Sequence, residues 1–198
     1  MRRSRSVELV CAIMVFASFA CAQQFDIAGG GSTTWSTKNT TASEAFLPPP
    51  LKGGTYPSVM VQYLNERNRG IEIEGAFRYH QAVYNDFQLY RPILYDANLV
   101  YSRRLAAKTH GDFMGGAGAE TLLFYEHGSC GLIGGGCSVH LNSTHFLLHA
   151  GFGVRYYAWR SLFIRPEVHY YFIPNNYQFH SDSVFRLGAS LGWTWGKH

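Results

Sequence analysis

The stretch Ile71-Glu72-Ile73-Glu74-Gly75-Ala76-Phe77-Arg78-Tyr79-His80 sorts its side chains by parity. Successive side chains of an extended strand point to opposite sides. Ile71, Ile73, Phe77 and Tyr79 therefore share an apolar face, and Glu72, Glu74, Arg78 and His80 share a charged one. The segment from 162 to 172 repeats the pattern, with Leu162, Ile164, Pro166, Val168, Tyr170 and Phe172 opposed to Phe163, Arg165, Glu167, His169 and Tyr171. So does the segment from 185 to 195, where Phe185, Leu187, Ala189, Leu191, Trp193 and Trp195 oppose Arg186, Gly188, Ser190, Gly192 and Thr194. A further apolar face runs through Tyr95, Ala97, Leu99 and Tyr101, and another through Phe146, Leu148, Ala150, Phe152, Val154 and Tyr156.

Weaker alternation elsewhere gives strands near 24–35, 54–64, 69–80, 92–103, 111–125, 144–157, 162–173 and 184–196. Most are about the length of a tilted strand that crosses a bilayer. Connections near 65–68, 106–109 and 158–161 are short, and those near 36–53, 81–91, 126–143 and 174–183 are long. In an up-and-down meander, alternate connections lie at the same end. One rim then receives every long loop and the other every short turn, which in bacterial outer-membrane barrels is the periplasmic rim. The fold class expected is all-β, an eight-stranded antiparallel transmembrane barrel with both ends of the strand run on the periplasmic side. Tyr63, Tyr79, Tyr101, Tyr156, Phe172, Trp193 and Trp195 fall near strand ends, where aromatic girdles form. Pro166 cannot donate to a ladder, so a bulge or a weakened ladder is expected there.

Composition narrows the function. Charged residues make up 15% of the 198, against about 25% in an ordinary soluble domain, while aromatics reach 16%. Arg2, Arg3 and Arg5, an apolar run and the Ala20-Cys21-Ala22 cleavage pattern read as a signal peptide over 1–22, leaving a barrel domain over 23–198. An uncleaved anchor and a lipoprotein signal acylated on Cys21 are the rival readings. Cleavage removes three arginines and Glu8 and lowers the formal net charge from +4 to +2, too little to point to a nucleic-acid partner. Cys130 and Cys137 bracket a Gly-rich loop and suggest a disulfide within it. A metal there would need more ligands than the flanking His127 and His140 supply. His145 and His149 would lie about 13 Å apart on a strand, too far to share an ion. No metal and no cofactor is expected.

The stretch from Gly151-Phe152-Gly153-Val154-Arg155-Tyr156 through Leu162 to Tyr171 and on to Leu187-Gly188-Ala189-Ser190-Leu191-Gly192-Trp193 resembles the OmpA-like and Opa-like eight-stranded outer-membrane β-barrel family. That family commonly shows a G-x-G strand, a turn, an R-P-E-like strand and a final glycine-aromatic strand. Trp195-Gly196-Lys197-His198 departs from the terminal aromatic of the family's assembly signal. The resemblance implies the bacterial outer membrane as location. Outer-membrane lipid, lipopolysaccharide, the barrel-assembly machinery and an extracellular ligand at the loops are the implied partners.

Inside such a barrel the polar face becomes a lumen network of Glu72, Glu74, Arg78, Asp96, Glu120, Arg155, Arg165, Glu167, His169 and Arg186, with His80 and His149 able to titrate. Arg155, Arg165, Arg186, Glu120 and Glu167 are its expected centre, and its signs nearly cancel. Buried charges must pair, so the network reads as a plug and the chain as a structural or surface-interaction barrel. A narrow channel for small solutes, a lipid A-modifying enzyme and a soluble lipocalin-like binder are the alternatives. Phe179-His180-Ser181-Asp182-Ser183 holds a nucleophile and a base, but in a loop and without the H-x-S-N-A pattern of the deacylases, so no enzyme is expected.

Overall fold

The computed structural model describes residues 24–36, 51–84, 88–125, 141–176, 178–179 and 182–196. The signal segment, Cys130, Cys137, His180 and Ser181 lie outside the described residues. Nine strands follow in order: β1 Gln24–Ser36, β2 Tyr56–Leu64, β3 Arg69–Phe77, β4 Ala82–Tyr84, β5 Gln88–Ala106, β6 Thr109–Tyr125, β7 Ser143–Trp159, β8 Leu162–Phe172 and β9 Ser183–Gly196. All pair antiparallel in the order β3-β2-β1-β9-β8-β7-β6-β5-β4, and β3 also pairs with β5. That last pairing closes eight of the strands into a barrel. The ninth, β4, is a three-residue addition to the start of β5 that extends the wall beyond the closed ring.

Side-chain parity decides which way the wall faces. Glu72 and Glu74 are buried while Ile71, Ile73 and Phe77 are exposed, and the same division runs through β8 and β9. Ile73 is 62% exposed and Leu99 72%, whereas Arg155, Arg165 and Arg186 are 0% exposed. A soluble lipocalin-like barrel would show the reverse, so that alternative is excluded: only a hydrocarbon surround makes this outside favourable. Trp35, Tyr79 and Phe172 are exposed toward the long-loop end, and Tyr63, Tyr101, Tyr156, Trp193 and Trp195 toward the short-turn end, giving two girdles.

Strand boundaries differ from those expected most at β5, which runs to 19 residues; β3 ends three residues earlier, at Phe77, and β6 and β7 reach 17 residues each. The short turns have local causes. Asn65 Oδ1 accepts from the backbone N–H of Arg67 and of Arg69 at 2.9 and 3.1 Å, and Asn68 takes φ 55°, a left-handed conformation that asparagine tolerates. Pro166 weakens the ladder without bulging it. β7–β8 pairing stops at Gly153↔Glu167 and resumes in the same register at Tyr156↔Ile164, while the register shift of this pair falls at Tyr157/Trp159.

Candidate functional site

The lumen is built from the inward parity of all eight barrel strands. Arg155 on β7 reaches across it, donating from Nη1 to Asp26 at 2.6 Å and from Nη2 to Asp112 at 2.7 Å and Gln62 at 2.8 Å. Its guanidinium also lies 4.7 Å from the ring centre of Phe163, a cation–π contact. Arg165 on β8 donates from Nη1 to Glu72 at 2.6 Å and from Nε to Glu167 at 2.8 Å. Arg186 on β9 donates from Nη2 to Glu74 at 2.5 Å. Glycine makes room for these long side chains: a Cβ at Gly153 would come within 3.1 Å of the Arg165 side chain.

Beside the arginines runs a chain of neutral and titratable donors. Asn98 donates to Asp96, and its side-chain oxygen lies 2.5 Å from His149 Nδ1. That oxygen can only accept, so Nδ1 of His149 carries a proton, and in a neutral His149 ring Nε2 accepts from His169 Nδ1 at 2.9 Å. His169 Nε2 then faces Glu167 Oε1 at 3.6 Å. The two imidazoles and Tyr171 stack, with ring centres 4.9 to 6.1 Å apart. Glu74, Glu167 and His169 bring ligand-type atoms within 4.8 Å of one another, but Arg186 and Arg165 already donate to both carboxylates.

Two expected members of the network, and the titratable His80, lie elsewhere. Glu120 is buried but stands apart from the arginines, and it accepts from Asn176 Nδ2 at 3.1 Å. Arg78 is half-buried at the mouth against Gly54, with its backbone N–H on the Pro92 carbonyl. His80 is exposed, its ring 4.7 Å from Tyr79. Asp26 and Asp112 are fully buried members that sequence reasoning missed, although each sits on its strand's inward parity. Seven buried carboxyls, Asp26, Glu72, Glu74, Asp96, Asp112, Glu120 and Glu167, face three buried arginines among the described residues. The arginines hold five of them directly, and Asp96 and Glu120 rest on amides and histidine.

Above this layer the interior becomes apolar. Leu51, Tyr84, Tyr90, Leu94, Leu122, Leu147, Tyr171, Ile173, Phe179 and Val184 form one buried cluster at the long-loop end. The Tyr84 ring packs edge-on against Phe124 and Phe179 at 5.5 Å each, and its hydroxyl donates to the Gln178 carbonyl at 2.8 Å. Leu51 enters from the first long connection, which is tied to β1 by Gly53 N–H on Thr34 O at 2.8 Å. Gly53 and Gly54 take φ 71° and 88° there, the left-handed region that favours glycine. Leu51 and Phe179, from the first and fourth long connections, are both buried in the mouth. Ala28, Met60, Tyr157 and Phe163 form a second, smaller apolar cluster beside Arg155.

No protein-family model matches the sequence, and no curated protein matches it. Among solved structures the chain is similar to the N-terminal β-barrel domain of Pseudomonas aeruginosa OprF, at 10% identity over 88% of this chain and 98% of that one, with a TM-score of 0.59. It is similar to Ail of Yersinia pestis at 12% identity, 88% and 99% coverage and a TM-score of 0.57. Neisserial surface protein A follows at 11%, 86% and 95%, and 0.56. At such identities the likeness is one of fold, and it agrees with the apolar outside and charged inside. The chain therefore has the fold of the small bacterial outer-membrane proteins, a closed eight-stranded transmembrane β-barrel with a buried salt-bridge network in its lumen.

Proposed function

We propose that the protein is a non-conducting, non-catalytic outer-membrane barrel whose work is done by the loops it displays at the cell surface. The observation that carries this reading is the filling of the lumen. Three fully buried arginines span the bore, and an apolar cluster drawn partly from the loops closes the mouth above them. An eight-stranded barrel is only wide enough for side chains to fill, and here they do. Two relatives in fold lend support from their own names: Ail is an attachment invasion locus protein that has been seen with a heparin analogue, and Neisserial surface protein A is named for the surface. Long loops on a rigid scaffold are the usual place for such contacts. Steady-state conductance of the refolded protein in planar bilayers tests the closed lumen. Current indistinguishable from protein-free lipid is expected, and a reproducible ohmic step would make it a narrow channel instead. Binding of intact cells to immobilised sulfated polysaccharide, with and without expression of the protein, tests the display role.

A further inference from the structure

The short-turn rim is unlike the rest of the surface in charge. Arg67, Arg69, Arg103, Arg104, Lys108 and Arg160 are all exposed there, against the single exposed carboxylate of Glu66 among the described residues. None of the six cations forms an ion pair with a described carboxylate. Five of them belong to two adjacent turns, because β3 pairs with β5 and Ser102 N–H donates to Asn68 O across the junction at 2.9 Å. Arg69 and Arg103 take the outward parity of their strands, so their guanidiniums stand at the membrane face of the rim.

Directly above lies a hollow in the lipid-facing wall. Register places Arg69, Tyr101, Phe113 and Phe152 in one outward row, and Ile71, Leu99, Gly115 and Ala150 in the next row toward the membrane centre. The lower row is continuous: Arg69 sits 5.9 Å from the Tyr101 ring, Tyr101 stacks on Phe113 at 6.5 Å, and Phe113 meets Phe152 at 5.0 Å. The upper row is interrupted, since Gly115 has no side chain. The resulting groove measures about 410 Å³ and is lined by Leu99, Tyr101, Phe113, Gly115 and Arg69, nearly all of it apolar.

We infer that this groove and the arginines below it form a site for one anionic phospholipid of the periplasmic leaflet. An acyl chain fills the notch at Gly115 against Leu99 and Phe113, and the phosphate is held by Arg69 and Arg103. Charge complementarity selects the headgroup. A phosphodiester with no ammonium gains from every cation on the rim, whereas a zwitterionic lipid brings an ammonium that meets six cations and one carboxylate. This inference concerns the outer wall and stands whether or not the lumen conducts.

Native mass spectrometry of the full barrel, refolded in detergent with equal amounts of dioleoyl phosphatidylglycerol and dioleoyl phosphatidylcholine, tests it. One phosphatidylglycerol is expected to stay bound at least fivefold more often than phosphatidylcholine. Arg69→Gln with Arg103→Gln should bring that preference within twofold. Gly115→Leu should lower retention of both lipids about fivefold, and a side chain fits there because the nearest heavy atom to a new Cβ is His149 O at 3.9 Å. Millimolar glycerol 3-phosphate should not displace the lipid. Heat-dependent electrophoretic mobility checks that each variant is folded, and if Gly115→Leu fails that check the arginine pair decides alone. Equal retention of the two lipids by the unaltered protein, a preference that survives the arginine substitutions, or displacement by glycerol 3-phosphate would each overturn the proposal.

Discussion

Arg165 on β8 and Glu72 on β3 come from strands on opposite walls of the barrel, and they meet in its bore at 2.6 Å. The same guanidinium holds Glu167 through Nε, so one side chain ties a diameter and its own strand together. Replacing Arg165 with Ala leaves two buried carboxylates without their cation, and breaking a buried pair from one side costs about 3–5 kcal/mol. Arg165→Ala should lower the urea midpoint of the detergent-folded barrel by a corresponding amount. Planar-bilayer current should stay near baseline, because Arg155, Arg186 and the apolar mouth remain. A jump in conductance would show that Arg165 is a gate.

Glu120 should behave differently from Glu72 although both are fully buried. Its observed partner is the Asn176 amide, and a glutamine oxygen accepts that bond equally well. Glu120→Gln is expected to change stability by less than about 1 kcal/mol, whereas Glu72→Gln, which removes the charge facing Arg165, should cost about 2–4 kcal/mol. Urea unfolding of the two variants side by side makes the comparison.

The apolar mouth can be loosened without touching the charged layer. Phe179→Ala removes a ring that packs on Tyr84 and Tyr90 at 5.5 and 5.0 Å. Loss of a buried phenyl costs about 3–5 kcal/mol in a packed core, and here the strain should be released by local opening of the segment near 174–182. Limited proteolysis should then cut that segment at least tenfold faster, with heat-dependent mobility unchanged.

Glycines on the wall divide into two classes. A Cβ at Gly118 would lie 2.0 Å from the Tyr95 carbonyl oxygen, and one at Gly116 2.1 Å from that of Ala97, both backbone atoms of the paired strand. At Gly31 and Gly75 there is open space. Gly118→Ala should sharply reduce refolding yield, while Gly75→Ala should be neutral or stabilising by up to about 1 kcal/mol. The folded fraction, read by unheated electrophoresis, separates the two.

Alternation made the wall legible. Arg165, Glu167 and His169 announce their face because apolar residues stand between them, and the long and short connections fix the topology. Parity says which way a side chain points but not how high in the barrel it sits. That is why Glu120, on the correct face, lies under the apolar mouth and away from the arginines. Asp26 and Asp112 escaped notice because glycines follow or precede them in β1 and β6 and blur the period. The mouth was hard to read from periodicity: Leu51 and Phe179 occupy connections and Tyr84 the three-residue β4, and only tertiary folding brings them together over the bore. One cue was present. Tyr90, Leu94, Leu122, Leu147 and Val184 put apolar side chains on the inward parity near the long-loop end, which a water-filled mouth would not favour.

β1 and β9 pair along their whole length, from Gln24↔Gly196 to Ser36↔Val184. The first strand to leave the ribosome thus has one of its two neighbours at the far end of the chain. Until β9 arrives, β1 presents a long unsatisfied hydrogen-bonding edge beside an apolar surface, a combination that invites aggregation in water. The closing β1–β9 seam therefore forms only after the last strand has been made. Joining residues 24 and 196 by a short linker and opening a long loop instead should give a permuted barrel with the same wall.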